Sequence, residues 1–191
     1  QAYRGRSMVG LPDELLSAIA TSGGGSLAMR IRQGMNSASE EAEQLLGNPS
    51  ANEDDLQRVI EALGEVPSPP LLPSLLSQLN RNNDSIRIAS LSALRAYNDP
   101  SVGESISHSY SGFEGEVQTA AQTLLMSRTS WATTWIRAVK QGSIARDLIP
   151  TDAVNGLRRL GDPALSSLVD EIWPEDKNSN EEGAEEMDRL R

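Results

Sequence analysis

The sequence contains no cysteine, one histidine and only 4 % aromatic residues. The absence of cysteine excludes a disulfide framework, a thiolate nucleophile, an iron–sulfur cluster and a covalent c-type haem site within this chain. A single histidine leaves almost no material for a histidine metal cage or a Ser-His-Asp triad. These absences exclude several classes of catalytic and redox centre from this chain of 191 residues.

Positive charge and long apolar runs are also scarce. The chain has 17 basic and 27 acidic residues, and this formal charge of −10 argues against nucleic acid or an anionic membrane surface as the main partner. Apolar runs such as Leu124–Met126 never exceed three residues, far short of a membrane-spanning stretch. Because the chain begins at Gln1 rather than Met and stops at Arg191 in an apparent helix, we expect it to be a fragment of a longer protein. The lack of a secretory signal at its start therefore says little about compartment.

What the sequence does contain is apolar residues at helical spacing. Strand-like alternation of apolar and polar residues is nearly absent, so the pattern predicts an all-α fold. Short segments rich in Gly, Pro, Asn and Ser separate the predicted helices. Three apolar stripes are Leu56, Val59, Ile60 and Leu63; Ile86, Ala89, Ala93, Leu94 and Tyr97; and Val117, Ala120, Ala121, Leu124 and Leu125.

The predicted helices repeat with a period of about 31 residues. The stretch Leu94–Val102 aligns without gaps with Leu157–Leu165, which lies 63 residues later. At each turn a capping side chain precedes the first helical position, where proline loses no useful N–H. The predicted turn residues are Ser68, Pro69, Asp99, Pro100, Ser130, Asp162 and Pro163.

The third repeat departs from this register. Where the other repeats have apolar residues, it has Thr133, Arg137 and Gln141. The sequence therefore predicts a shifted or rotated helix in this repeat. Its apolar face would consist of Trp131, Trp135, Ile136 and Val139.

These features predict a HEAT-like α-solenoid, a right-handed superhelix of antiparallel helix pairs. Such units must stack because none of them buries its apolar face alone. Residues 1–174 would form the solenoid, with irregular helices in 1–50 and four helix-pair repeats over about 52–173. The acidic segment 175–191 is interpreted as a mobile linker or a linker helix. Within the irregular part we expect helices at Pro12–Ala20, Leu27–Met35 and Ser37–Leu46.

No residue is predicted to be catalytic, cofactor-binding or metal-ligating. Glu104 and His108 are four positions apart on one helix, but a metal site needs further ligands, so we favour a surface position for His108. Gly23–Gly25 lacks the Lys-Ser/Thr of a phosphate-binding loop and indicates a flexible connection. The acidic runs at helix starts suit the helix dipole better than acid/base catalysis. They comprise Glu40, Glu41, Glu43, Glu53, Asp54 and Asp55.

Two kinds of residue remain as candidates for contacts with a partner. Trp131 and Trp135 share a helix face, and an exposed aromatic pair anchors partners in many interfaces, although core filling is the plainer interpretation. Four arginines form small basic spots without a stripe, so nucleic acid is not an expected partner. They are Arg30, Arg32, Arg158 and Arg159.

Four stretches carry a family resemblance, namely Ala28–Gly34, Leu63–Val66, Asp84–Pro100 and Val154–Pro174. They resemble the helical region of large exported bacterial proteins, best known from planctomycetes, that join a dehydrogenase-like propeller, HEAT-like helices and a c-type cytochrome domain. The segment Glu181–Arg191 is similar to the acidic helix that commonly precedes the cytochrome module. The resemblance implies export, but the family's Cys-X-X-Cys-His would lie beyond Arg191. It therefore assigns no haem-ligating or catalytic residue to this chain.

The sequence thus predicts a non-catalytic module without a cofactor. It would space a dehydrogenase domain from a cytochrome domain, or present a surface to a protein partner, without inserting into a membrane. One alternative is a HEAT-like lyase-type enzyme that acts on a bilin or a modified side chain, for which Glu104 or His108 would be needed. Another is a free-standing protein-binding scaffold.

Overall fold

A computed structural model describes residues 27–174, which form ten α-helices and contain no strand. The predicted all-α class is therefore confirmed over this range. The predicted helix Pro12–Ala20, the Gly23–Gly25 connection and the segment 175–191 lie outside the described residues. The helices are α1 (Leu27–Arg32), α2 (Ser37–Gly47), α3 (Glu53–Glu65), α4 (Leu72–Ser77), α5 (Asp84–Leu94), α6 (Pro100–Ser109), α7 (Gly115–Leu125), α8 (Thr129–Lys140), α9 (Thr151–Arg159) and α10 (Pro163–Ile172).

Side-chain caps start four of these helices. Before α3, α5, α6 and α10, an Asn or Asp side chain accepts a hydrogen bond from a backbone N–H of the first turn. Pro100 and Pro163 follow two of these caps at the first helical position, where proline fits best. The four capping residues are Asn52, Asn83, Asp99 and Asp162.

The other two predicted turns differ. Ser68 precedes the 3-10 turn Pro69–Leu71, and its side chain makes no cap bond. The prediction that Ser130 caps a helix is wrong, because α8 already begins at Thr129 and Arg128 occupies the N-cap position. The reason is tertiary: the Trp131 indole N–H donates to the Asp99 carbonyl oxygen at 3.1 Å, which anchors the first turn of α8 to the start of α6.

The helices pack mainly against the helix two places along the chain. In the odd row, α1 packs on α3, α3 on α5 and α5 on α7. In the even row, α2 packs on α4, α6 on α8 and α8 on α10, while α6 meets the 3-10 turn that follows α4. Helix α9 packs on α10. Neighbouring pairs along both rows therefore share one apolar interior.

That interior is a single connected cluster of buried side chains. The stripe Leu56, Val59, Ile60 and Leu63 is wholly buried, as its spacing predicts. The rotated face predicted for the third repeat is confirmed, since Trp131, Trp135, Ile136 and Val139 are all buried. Arg137 and Gln141, which stand at the unrotated positions, are exposed. The Tyr110 and Trp135 rings pack with their centroids 5.2 Å apart.

Glycines inside helices mark three places where the packing is closest. A Cβ on Gly64 of α3 would lie 3.0 Å from the Cα of Ala93 in α5. A Cβ on Gly103 of α6 would lie 2.6 Å from Cδ1 of Trp131 and 3.1 Å from its Cα. A Cβ on Gly156 of α9 would come closest to the flexible end of the Met126 side chain. Glycine is unfavourable in a helix interior, so close packing explains its presence at these positions.

We predict that Gly103→Ala destabilises the chain by about 1–3 kcal/mol, because the new methyl group overpacks against the root of the Trp131 ring. The matched control is Gly47→Ala at the end of α2, where a Cβ meets nothing within 4 Å. The control should be neutral or stabilising by up to about 1 kcal/mol. Urea unfolding monitored by tryptophan fluorescence measures both, and equal effects of the two substitutions would contradict this account of the packing.

An exposed ion pair also ties α1 to α3. The Arg32 Nε and Nη2 donate to the two carboxylate oxygens of Glu65 at 2.6 and 2.8 Å. These hydrogen bonds lower the pKa of the Glu65 carboxyl below its ordinary value of 4.5. A carboxyl with a depressed pKa stabilises the folded state above its ordinary value, and that contribution is lost as the pH falls through the folded value.

We predict that acid loosens α1 by protonating Glu65. Hydrogen exchange of the α1 amides, corrected for intrinsic pH dependence, should rise as the pH falls below 4.5. Glu65→Gln should exchange faster at neutral pH and lose most of this pH dependence. If this variant retains the acid response of the parent chain, another group is responsible.

Candidate functional site

The odd row has a groove along α5. One part lies between α3 and α5 and has a volume of about 590 Å³, and the other lies between α5 and α7 and has a volume of about 380 Å³. Ile88 and Ser92 line both parts, so the two adjoin each other along the outer face of α5. We call this feature the α5 groove. Its lining includes Glu61, Glu65, Ser85, Ile88, Ala89, Ser92, Arg95, Glu116 and Ala120.

The groove exists because α5 has small or short side chains on its outer face. Ser85, Ile88, Ala89 and Ser92 follow helical spacing on this face. The opposite face of α5 is buried in the core and includes Ile86. Ala89 belongs to the apolar stripe that the sequence assigns to the core, but it is only half-buried and forms part of the groove floor.

Carboxylates stand on both sides of the groove. Glu61 lies on α3 and Glu116 on α7, and both are exposed. The Glu61 carboxylate accepts a hydrogen bond from Gln57 Nε2 at 3.0 Å. Within residues 27–174 neither Glu61 nor Glu116 forms an ion pair. Glu61 nevertheless interacts electrostatically with Arg32, the arginine that pairs with Glu65.

Negative charge is concentrated near this part of the chain. Residues 27–65 contain eight acidic and three basic residues, whereas residues 66–174 contain ten acidic and nine basic residues. Glu65, also at the groove, is neutralised by its ion pair with Arg32. Arg95 is the one basic residue among those that line the groove in the described part of the chain. The potential at the groove is therefore negative near α3 and less so near Arg95.

The tryptophan pair is not part of this surface. Trp131 and Trp135 are 2 % and 0 % exposed, so the interpretation of these rings as partner contacts is wrong for the described chain. They fill the space between α6 and α8, where Gly103 leaves room for the Trp131 ring. The Arg128 guanidinium covers that ring at 4.7 Å from its centroid.

The other candidate residues are dispersed. Glu104 and His108 are exposed on α6, and within the described residues no group of three or more His, Asp or Glu could hold a metal ion. Three of the four arginines in the basic spots form ion pairs. They are Arg30 with Glu41, Arg32 with Glu65, and Arg158 with Asp170. None of the helices within 27–174 combines the length and apolar character needed to cross a membrane.

Two arginines with a structural role were not identified from the sequence. Arg81 donates to the carbonyl oxygens of Leu46 and Asn48 at 3.2 and 2.6 Å, at the end of α2. Arg128 donates to the carbonyl oxygens of Arg95 and Tyr97, just beyond α5. Both satisfy carbonyl groups that a helix end leaves unpaired. The spacing between the two arginines is not a multiple of the repeat, so periodicity gave no signal for them.

Comparison with known proteins gives no relative from which a function of this groove could be inferred. The chain matches no family model, no curated protein and no solved structure.

We predict that the outer face of α5 is open to reagents. The chain has no cysteine, so a single Ser92→Cys provides a unique thiol in the groove. It should react with a thiol reagent at nearly the rate of a free thiol. The matched control is Ser90→Cys on the same helix, because Ser90 is 0 % exposed and its hydroxyl donates to the Ile86 carbonyl oxygen. Equal protection of the two thiols would show that the groove is closed in solution.

Proposed function

We propose that this chain is a non-catalytic helical-repeat module that presents the α5 groove to a protein and holds flanking domains at a defined spacing. The observation that carries the proposal is the packing of alternate helices in two rows over one core, with a groove on the odd row. A rigid row of helices is suited to displaying a surface, since its side chains are positioned by the core beneath them.

We further propose that the two rows belong to a HEAT-like α-solenoid with right-handed superhelical twist. In a solenoid each repeat contacts mainly its neighbours, as the helices of each row do here. The capped turns Asp99-Pro100 and Asp162-Pro163 support this proposal, because they begin α6 and α10 at equivalent places of the even row. The spacing between them is two repeat lengths.

The setting that we propose for the module is a larger exported oxidoreductase-like protein. The resemblance to the helical region between a dehydrogenase-like propeller and a cytochrome domain supports this setting. The partners would then be neighbouring domains of the same polypeptide, or a separate protein. The many buried side chains shared between adjacent helices would resist bending, and a stiff module keeps flanking domains at a constant separation.

We predict that a photoreactive group at position 92 cross-links to the partner. Ser92→Cys, labelled with benzophenone maleimide within the longer protein that contains this chain, should give a specific cross-linked product on illumination. The expected product joins the groove to a neighbouring domain or a bound protein, and mass spectrometry identifies the attachment site.

The control is Ser167→Cys, which is exposed on α10 in the even row. It should give little or no product under the same conditions. Absence of a product at position 92, or equal yields at both positions, would contradict the proposed function of the groove.

A further inference from the structure

We propose that the α5 groove binds an amphipathic helix of a protein partner, and that this helix has basic side chains on both flanks of its apolar stripe. The inference rests on the proposed function, because it specifies the chemistry of the partner for the same surface. It follows from three properties of the groove: its direction, its floor and the charge on its two sides.

The direction of the groove suits a helix. Helices α3, α5 and α7 pack side by side in one row, α3 on α5 and α5 on α7. The groove follows their axes, and its floor residues on α5 extend from Ser85 to Arg95. At 1.5 Å per residue this length is about 15 Å, or about three helical turns. A helix laid along α5 would face floor side chains spaced at three and four positions, which matches its own periodicity.

The floor is apolar at its centre, and its side chains are short enough for a second helix to approach closely. Ile88, Ala89 and Ala120 are half-buried, with buried Leu91 and Leu124 beneath them. Water leaves such a surface readily, and an apolar stripe on the incoming helix would replace it at about 25 cal/mol for each Å² covered. Because most outer side chains of α5 are small, the backbone of a second helix can come near that of α5.

The charges on the two sides select a basic occupant. Glu61 on α3 and Glu116 on α7 lie on either side of the α5 floor, as acidic flanking residues do in a helical coiled-coil interface. Lysine or arginine beside the apolar stripe of the partner would face these carboxylates. Arg95 is the exception, and it lies at the end of the floor that follows the last turn of α5.

The same charges disfavour the acidic segment of this chain as the occupant. Residues 175–191 contain seven acidic and three basic residues, so their approach to Glu61 and Glu116 would be opposed by like charge. An acidic partner helix meets the same opposition. The groove therefore distinguishes partners by sign of charge as well as by apolar pattern.

The experiment measures binding of two synthetic helices to the full chain by fluorescence anisotropy. Both peptides have roughly 20 residues, an identical Leu/Ala stripe and the same ends. One has lysine on both flanks of the stripe and the other has glutamate. We expect the lysine peptide to bind about tenfold tighter or more, and to weaken as salt is raised.

Substitutions that change the charge of the groove should change the affinity for the lysine peptide in opposite directions. Glu61→Gln and Glu116→Gln should each weaken binding of the lysine peptide by about 2–5-fold. Arg95→Gln should strengthen it by about 2-fold, since a repulsive charge is removed. Ser92→Trp should abolish binding by filling the groove, and circular dichroism checks that this variant is folded. The control Glu104→Gln changes an exposed carboxylate on α6 and should leave the affinity unchanged.

Several results would overturn the proposal. They are no binding of the lysine peptide, equal affinity for the two peptides, and retention of binding by Ser92→Trp. If the cross-link from position 92 forms while the lysine peptide fails to bind, the groove has a partner of different chemistry and the proposed function survives. If neither occurs, the proposed function fails as well.

Discussion

Close packing between each helix and the helix two places along the chain is the constraint on which the rest of the structure depends. Each helix is too short to be stable alone, so it persists because its apolar face is covered by neighbours in its own row and the other row. The approach is tightest at Gly64 and Gly103, where a methyl group would collide with Ala93 or Trp131. Arg81 and Arg128 extend the same contacts to the helix ends by binding carbonyl groups of the preceding repeat.

The surface properties follow from this packing. Because α5 is held between α3 and α7, its outer face becomes the floor of a groove and the side chains of the adjacent helices become its sides. The exposed carboxylates of Glu61 on α3 and Glu116 on α7 then give that groove its sign of charge. A partner would meet a shape defined by the core and a potential defined by exposed carboxylates, so affinity and specificity would come from different residues.

The sequence predicts local features well where one physical rule dominates. Asp99 and Asp162 cap helices because a short acidic side chain directly before a proline that begins a helix can accept a hydrogen bond from a backbone N–H of the first turn. The burial of Trp135 and Ile136 follows from helical spacing alone. Ser130 fails as a cap because the contact between Trp131 and Asp99 helps to set where α8 begins, and no local rule includes a contact across 32 residues. The groove was not predicted, since Ala89 looks like a core residue until its neighbours are in place.

By itself, then, the sequence determined the all-α class, the starts of α1, α2, α6 and α10, and the apolar face of α8. These depend on side-chain spacing and on capping, which act over a few residues. Only the tertiary structure decided that Glu61 and Glu116 lie on opposite sides of α5, and that Arg81 reaches back to α2. These depend on which helices become neighbours and how closely they approach, and both are set by the packing of side chains distant in the chain.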